Sequence, residues 1–341
     1  MHVSEAHGAV VRPASEPQIS GARAPGPASR SPGRFRHELL AYSGAEEFLQ
    51  GTLPLIERAL DEDEPVLVAV ARVRANLLRD ALGERAGRVG FHDMQQLGRN
   101  PARIIPAWQR FVDQHAPLGK PLLGIGEPVW PGRDAAALDE CERHESLLNF
   151  AFAEGAAWRL LCPYDLDGLG ASAIDAARQS HPHLAPAAGK ANSRYREASW
   201  PQRAFGGSLP EPAGPVKEMA FSRQQLAAAR HLVAGLAGPA GLPRERVEQL
   251  VLAVSELATN SVLYGGATGR LRVWQEGRTL VCDVRDSGRI ELPLAGRIEP
   301  RPDQLASRGL WLANQVCDLV QIRSDESGTI ARLHMDLQPV G

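Results

Sequence analysis

From Phe35 onward the chain alternates two kinds of pattern. Stretches with apolar residues at every third or fourth position predict helices, and short continuous apolar runs between them predict strands buried on both faces. "GAEEFLQGTLPLIERALDEDE" reads as a helix that its internal proline kinks or divides, and "PVLVAVA" (65 to 71) as a buried strand. A helix follows around 73 to 83, then a strand at "GRVGFHD" and a helix from Pro101 to about Gln114. "PLLGIGEP" is a strand, about Asp134 to Glu154 a helix, "WRLLCPYD" (158 to 165) a strand, and about Gly170 to Ser180 a last helix. Such alternation predicts a parallel sheet covered by helices, an α/β domain over 35 to 184.

The pattern then breaks. Residues 185 to 215 are rich in Pro, Gly and Ala and read as a flexible linker. Beyond it "VKEMAF" is a short strand, and "SRQQLAAARHLVAGLAG" a helix with Ser222 as its cap. "LPRERVEQLVLAVSELATNSVLYGG" is a long helix with Pro243 at its start. "RLRVWQEGRTLVCDVRDSG" is a hairpin turned at Glu276-Gly277, followed by a polar loop over about 289 to 305. The helix "SRGLWLANQVCD" and the hairpin "LVQIRSDESGTIARLHMDL" complete 216 to 341 as an α/β sandwich with a mixed sheet.

Composition changes this picture little. With 341 residues, 43% hydrophobic and 23% charged, the chain has the make-up of an ordinary two-domain globular protein. A net charge of -2 gives no reason to expect nucleic acid or an anionic membrane as partner. The four scattered cysteines suit a reducing cytoplasm, and there is no run of apolar residues long enough to span a bilayer and no secretory signal pattern. Residues 1 to 34 have the composition of a disordered tail.

Candidate chemistry falls in two groups. In the first half, polar residues stand at the carboxyl ends of predicted strands: His92 and Asp93, Glu127, and Tyr164 with Asp165. Open parallel sheets bind ligands there, whereas capping and turn formation account equally well for any single one of these residues. In the second half, Glu256 and Asn260 are four residues apart on one helix and share a face. Asp286 and Gly288 end a strand, and Arg308, Gly309 and Leu310 start a helix.

The run Glu256 to Asn260, then "VRDSG", then "SRGLWL", resembles in order and spacing the three nucleotide boxes of the GHKL (Bergerat-fold) ATPases. Within them it is most similar to the anti-sigma factor serine kinases. The resemblance implies ATP and Mg2+ as ligands, Asn260 holding the metal and Glu256 acting as base or positioning group. It further implies Asp286, Gly288 and Thr329 around the adenine, and Arg308, Gly309 and Leu310 at the phosphates. A hard cation that keeps several waters needs few protein oxygens, which suits one amide. Arg289 and Ile290 stand after Gly288 where a second glycine is usual, Ser307 stands where a glycine often opens the third box, and Tyr264 replaces a common His.

"RNPARIIPAW", "IGEPVWPGR", "RHESLLNFAF", "LLCPYD" and "SHPHL" together resemble the MEDS sensory domain over about 35 to 185. This implies a sensor of a small molecule, with Glu127, His144, Glu145, Asn149, Tyr164, Asp165 and His181 as its polar residues. Three functions compete. The first is a sensory domain controlling a serine kinase module that phosphorylates a STAS-type anti-anti-sigma protein and binds a sigma factor. The second is a histidine kinase using His144 in "RHESLLN". The third is an ATP-gated binding module without turnover. A homodimer is compatible with each.

Overall fold

In the computed structural model, which describes residues 35–185, 190–197, 204–300 and 308–337, the first described element is a strand that the sequence pattern does not single out, β1 (Phe35–Tyr42). The expected tail over 1–34 lies outside the described residues. After β1 come α1 (Gly44–Asp61), β2 (Val66–Val70), α2 (Arg72–Leu82), β3 (Val89–Asp93), α3 (Met94–Leu97) and α4 (Ile104–His115). Then follow β4 (Leu122–Gly126), α5 (Ala135–Ala151), β5 (Trp158–Asp165), α6 (Ala171–Ser180), β6 (His183–Leu184) and β7 (Lys190–Ala191). The seven strands form one sheet in the order β3-β2-β4-β5-β1-β6-β7. All pairs are parallel except β6 with β7, as the alternating pattern requires.

Pro54 does not divide α1, which stays continuous for 18 residues. Phe48, Thr52, Ile56, Ala59 and Leu60 pack this helix down, and that burial outweighs the one hydrogen bond a proline removes. Along β1 the side chains alternate between two layers. Leu40 and Tyr42 join the core under α1 and α2, and Leu39 joins the core that includes Trp108, Leu148 and Leu160.

The second half contains β8 (Lys217–Ser222), α7 (Leu226–Ala237), α8 (Arg244–Tyr264), β9 (Thr268–Glu276), β10 (Thr279–Asp286), α9 (Arg308–Val316), β11 (Leu319–Asp325) and β12 (Gly328–Asp336). Its sheet runs β11-β12-β10-β9-β8 and is antiparallel at every pairing, not mixed as expected. Ser222 caps as expected, in a reciprocal box with Gln225. The β9–β10 turn falls at Gly277-Arg278, one residue later than read.

Over its described parts, the expected linker is packed. Ala204, Phe205 and Leu209 are buried, the Pro210 carbonyl accepts from Arg332 at 2.9 Å, and Glu211 accepts from Arg272 at 2.8 Å and Arg285 at 3.1 Å. Composition missed this because a few apolar anchors suffice to dock a polar segment.

The described residues from Phe35 on form one compact unit in which the two sheets' helices share a continuous core. Polar contacts also cross between the halves. Asn100 Nδ2 donates to Asn314 Oδ1 at 3.0 Å, and Arg103 donates to the Asn314 carbonyl at 2.7 Å and the Cys317 carbonyl at 2.6 Å. Asn100 and Arg103 thereby satisfy the Asn314 carbonyl, one of those α9 leaves unpaired at its C-terminal end. Glu140 on α5 accepts from Arg297 at 2.8 Å and from Arg323 on β11 at 2.9 Å, and Asp139 also binds Arg323.

Candidate functional site

Helix α8 buries Leu250, Ala253, Val254, Leu257, Ala258 and Ser261. Glu256 and Asn260 stand at the edge of that stripe, half-buried, and neither side chain bonds to another described residue. The start of α9 lies directly over them. A Cβ on Gly309 would come 2.8 Å from Asn260 Nδ2 and 3.2 Å from Glu256 Cβ, so the helix start packs closely on both side chains. Arg308 is exposed in the first turn of α9, and Leu310 is half-buried beside it.

Asp286, the last residue of β10, is held from two sides. Ser261 Oγ donates to its Oδ2 at 2.6 Å, and the Gly288 N–H donates to its Oδ1 at 2.8 Å. A carboxylate oxygen accepts twice, so each keeps capacity for an outside donor such as an adenine amino group. Gly265, just after Tyr264, lets Asp286 come close: a Cβ there would sit 2.4 Å from Asp286 Cγ. Thr329 pairs with Asp286 across β10 and β12 and donates to the Gly288 carbonyl at 2.8 Å. Ser324 Oγ bonds Thr329 Oγ1 at 2.8 Å and accepts from the Ile290 N–H at 2.9 Å, which pins the backbone beyond Gly288.

The fold thus gathers Glu256, Asn260 and Gly309 at one place and Asp286, Gly288 and Thr329 at another, joined through the adjacent Asn260 and Ser261. Ser261 and Ser324 are absent from the sequence reading. A hydroxyl on the buried face of α8 was the available signal for Ser261; Ser324 has none without the strand pairing. The residues suit a nucleotide with a hard cation: an amide oxygen and a carboxylate with open valences, and backbone N–H groups at a helix start for phosphate.

In the first half, four of the seven expected residues converge. Tyr164 OH donates to Glu145 Oε1 at 3.2 Å, His181 Nε2 lies 3.3 Å from Glu145 Oε2, and Asn149 Nδ2 donates to the Ser180 carbonyl at 2.7 Å. Two residues not foreseen join them. His37 Nε2 is 3.0 Å from Glu145 Oε2 and 3.3 Å from Cys162 Sγ. Burial pushes both His37 and His181 down to about 3 and pushes the Glu145 carboxyl and the Cys162 thiol up. His37 was missed together with β1. A cavity of about 200 Å³ between α5 and α6 reaches Glu145, Tyr164 and Ser180.

The other three lie elsewhere, which corrects the expectation of one pocket. Tyr164 and Asp165 are consecutive on a strand and point to opposite faces. Asp165 binds Arg74 at 3.1 Å, and Glu127 accepts from Tyr42 OH at 2.6 Å. Arg74 lies 5.1 Å over the Tyr42 ring, so these four make a separate network. Asp93 caps α3 and pairs with Arg72 at 3.3 Å. His144 is only 1% exposed, and burial, with Arg297 next in effect, pushes its pKa well below the ordinary value.

Burial pushes Glu127 up to about 7 from 4.5. The folded protein therefore holds that proton more tightly than the unfolded chain does. The stability linked to it is full below about pH 4.5 and is lost as pH rises through about 7. Glu127→Gln is expected to remove this loss, leaving the variant more stable than the parent by about 3 kcal/mol at roughly pH 8 and similar at roughly pH 4. Urea denaturation across that range measures it, and an unchanged pH profile would contradict the burial argument.

Family comparisons agree with both halves. Residues 36–182 match the MEDS model, "MEthanogen/methylotroph, DcmR Sensory domain", and residues 219–335 match the histidine kinase-like ATPase domain. No curated protein matches the sequence. Among solved structures, the RsbU and RsbW domains of a Mycobacterium tuberculosis protein align at 19% identity and a TM-score of 0.28. That alignment covers 36% of this chain and 32% of that one, so the chain spans about a third of it. The Acinetobacter baumannii histidine kinase AdeS aligns at 16% identity and a TM-score of 0.21, covering 36% of this chain and 68% of that one. No helix among the described residues is long and apolar enough to cross a membrane.

Proposed function

We propose, on the premise that the chain joins a MEDS sensory domain to a histidine kinase-like ATPase domain, that it is a cytoplasmic regulator whose sensor controls ATP-dependent phosphorylation of a partner protein. The partner class is a STAS-type anti-anti-sigma protein, with a sigma factor as the second binding partner. The observation that carries this reading is the meeting of Glu256, Asn260 and Gly309 beside the pinned Asp286. In it Asp286 orients the base of ATP, Asn260 offers its amide oxygen to the cation, and the α9 start receives the phosphates. Magnesium, when bound, screens phosphate charge. Glu256 accepts the proton of the partner's serine hydroxyl as its oxygen bonds the γ-phosphorus and the bridging bond to ADP breaks.

This chain then needs no phosphoacceptor of its own. His144 is unsuited to that role, since an imidazole on α5 that is 1% exposed cannot meet a nucleotide held on α8. Control by the sensor runs through direct contact rather than tether length. Arg297, in the loop between β10 and α9, is held by Glu140, and the far end of α9 is held by Asn100 and Arg103.

Incubation of the full chain with γ-labelled ATP and a panel of STAS proteins tests the reading. Acid-stable label on a STAS serine is expected. Acid-labile label on this chain would support the histidine kinase instead, and retained nucleotide without transfer the ATP-gated module.

A further inference from the structure

The buried group of His37, Glu145, Cys162 and His181 plays no part in the nucleotide reading and stands independently of it. One donor atom from each residue lies within 4.8 Å of all the others. The closest approaches are His37 Nε2 to Glu145 Oε2 at 3.0 Å, His37 Nε2 to Cys162 Sγ at 3.3 Å and His181 Nε2 to Glu145 Oε2 at 3.3 Å. All four residues are buried, and they come from β1, α5, β5 and the end of α6. Four distant parts of the chain therefore aim donor atoms at one point.

The outer hydrogen bonds fix how the two imidazoles present themselves. His181 Nδ1 is 2.7 Å from the Ala177 carbonyl, so that nitrogen carries the hydrogen and Nε2 carries a lone pair. Asn149 donates through Nδ2 to the Ser180 carbonyl, which turns its Oδ1 toward His37 Nδ1 at 3.2 Å. His37 is thereby held in the same tautomer. With Glu145 ionised, both Nε2 lone pairs face its Oε2, acceptor against acceptor. Glu145 Oε2 and His181 Nε2 have no hydrogen-bond partner, although both are buried. A proton on Glu145 or a cation at the centre resolves such an arrangement, and an outer N–H bonded to carbonyl or amide oxygen is the usual support of a metal-ligating histidine.

We propose that His37, Glu145, Cys162 and His181 bind one divalent transition-metal ion, with zinc the best match. Two imidazoles, a carboxylate and a thiolate suit that ion's borderline softness and tetrahedral preference. With bond lengths of about 2.0–2.3 Å, the edges of such a tetrahedron are about 3.3–3.7 Å, which the three closest approaches nearly meet. Glu145 and Cys162 give up their protons to solvent on loading, and their two negative charges neutralise the ion. Tyr164 OH remains on the other carboxylate oxygen. Glu145 and Tyr164 also line the cavity between α5 and α6, so the ion sits behind the wall a small molecule would touch.

The competing arrangement has no ion: a protonated Glu145 donates to His181 and the Cys162 thiol donates to His37. Tag-free full-length protein expressed with added zinc separates the two by elemental mass spectrometry. One zinc per chain is expected after gel filtration. Cobalt loaded in its place is expected to give a thiolate-to-metal charge-transfer band that Cys162→Ser removes. Asn149→Ala keeps all four ligands and is expected to weaken zinc binding by about 10–100-fold with an unchanged circular dichroism spectrum. A folded protein that takes up neither metal overturns the proposal, as does a cobalt band that survives Cys162→Ser. ATP binding is not read in this experiment, so its result and that of the kinase assay fail separately.

Discussion

Asn260→Ala is expected to lower affinity for ATP in the presence of magnesium by about a hundredfold, roughly the value of losing one oxygen on a charged partner. The variant should fold normally. Asn260 bonds to no other described side chain, and alanine is the better helix former, so stability should change by no more than about 0.5 kcal/mol. Titration calorimetry with and without a magnesium chelator reads the effect directly. The parent should lose affinity on chelation and the variant should have little left to lose. Equal, magnesium-dependent binding by both proteins would place the nucleotide away from α8.

Glu140→Ala should have the largest effect on folding. Glu140 is 1% exposed and accepts from Arg297 and Arg323, themselves 8% and 4% exposed. Removing the acid strands the buried Arg297 guanidinium and leaves Arg323 with Asp139 as its remaining acid, and breaking such a buried pair typically costs about 3–5 kcal/mol. Thermal or urea unfolding of the full chain would show it. The same variant probes the coupling between halves, because its partners come from the loop before α9 and from β11. A variant as stable as the parent would show that the two halves do not meet through this acid.

Much of the fold was legible because its elements are long and strongly periodic. β5 was readable to the residue as "WRLLCPYD", and the alternation of buried strands with amphipathic helices implied a parallel sheet. β1 was not legible: "FRHELLAY" mixes charged and apolar residues, since Glu38 and His37 are buried through polar partners rather than by apolar character. The three motifs that resemble nucleotide boxes are recognisable by their spacing, while Ser261 and Ser324 depend on strand pairing that no local pattern encodes. On the sensory side, single polar residues could be named but not sorted, because adjacent positions such as Tyr164 and Asp165 part to opposite faces. The packing of 204–215 rests on contacts with partners as distant as Arg332, beyond the reach of composition.

Helix α9 has one end over Glu256 and Asn260 and the other gripped by Asn100 and Arg103. Nine residues of helix span only about 14 Å, so one short element joins the two places. Thermodynamic reciprocity then works in both directions: if an effector in the sensory half changes the grip on ATP by some factor, ATP changes the grip on that effector by the same factor. Such a molecule would report its signal against the energy charge of the cell, answering the same stimulus differently when nucleotide is scarce.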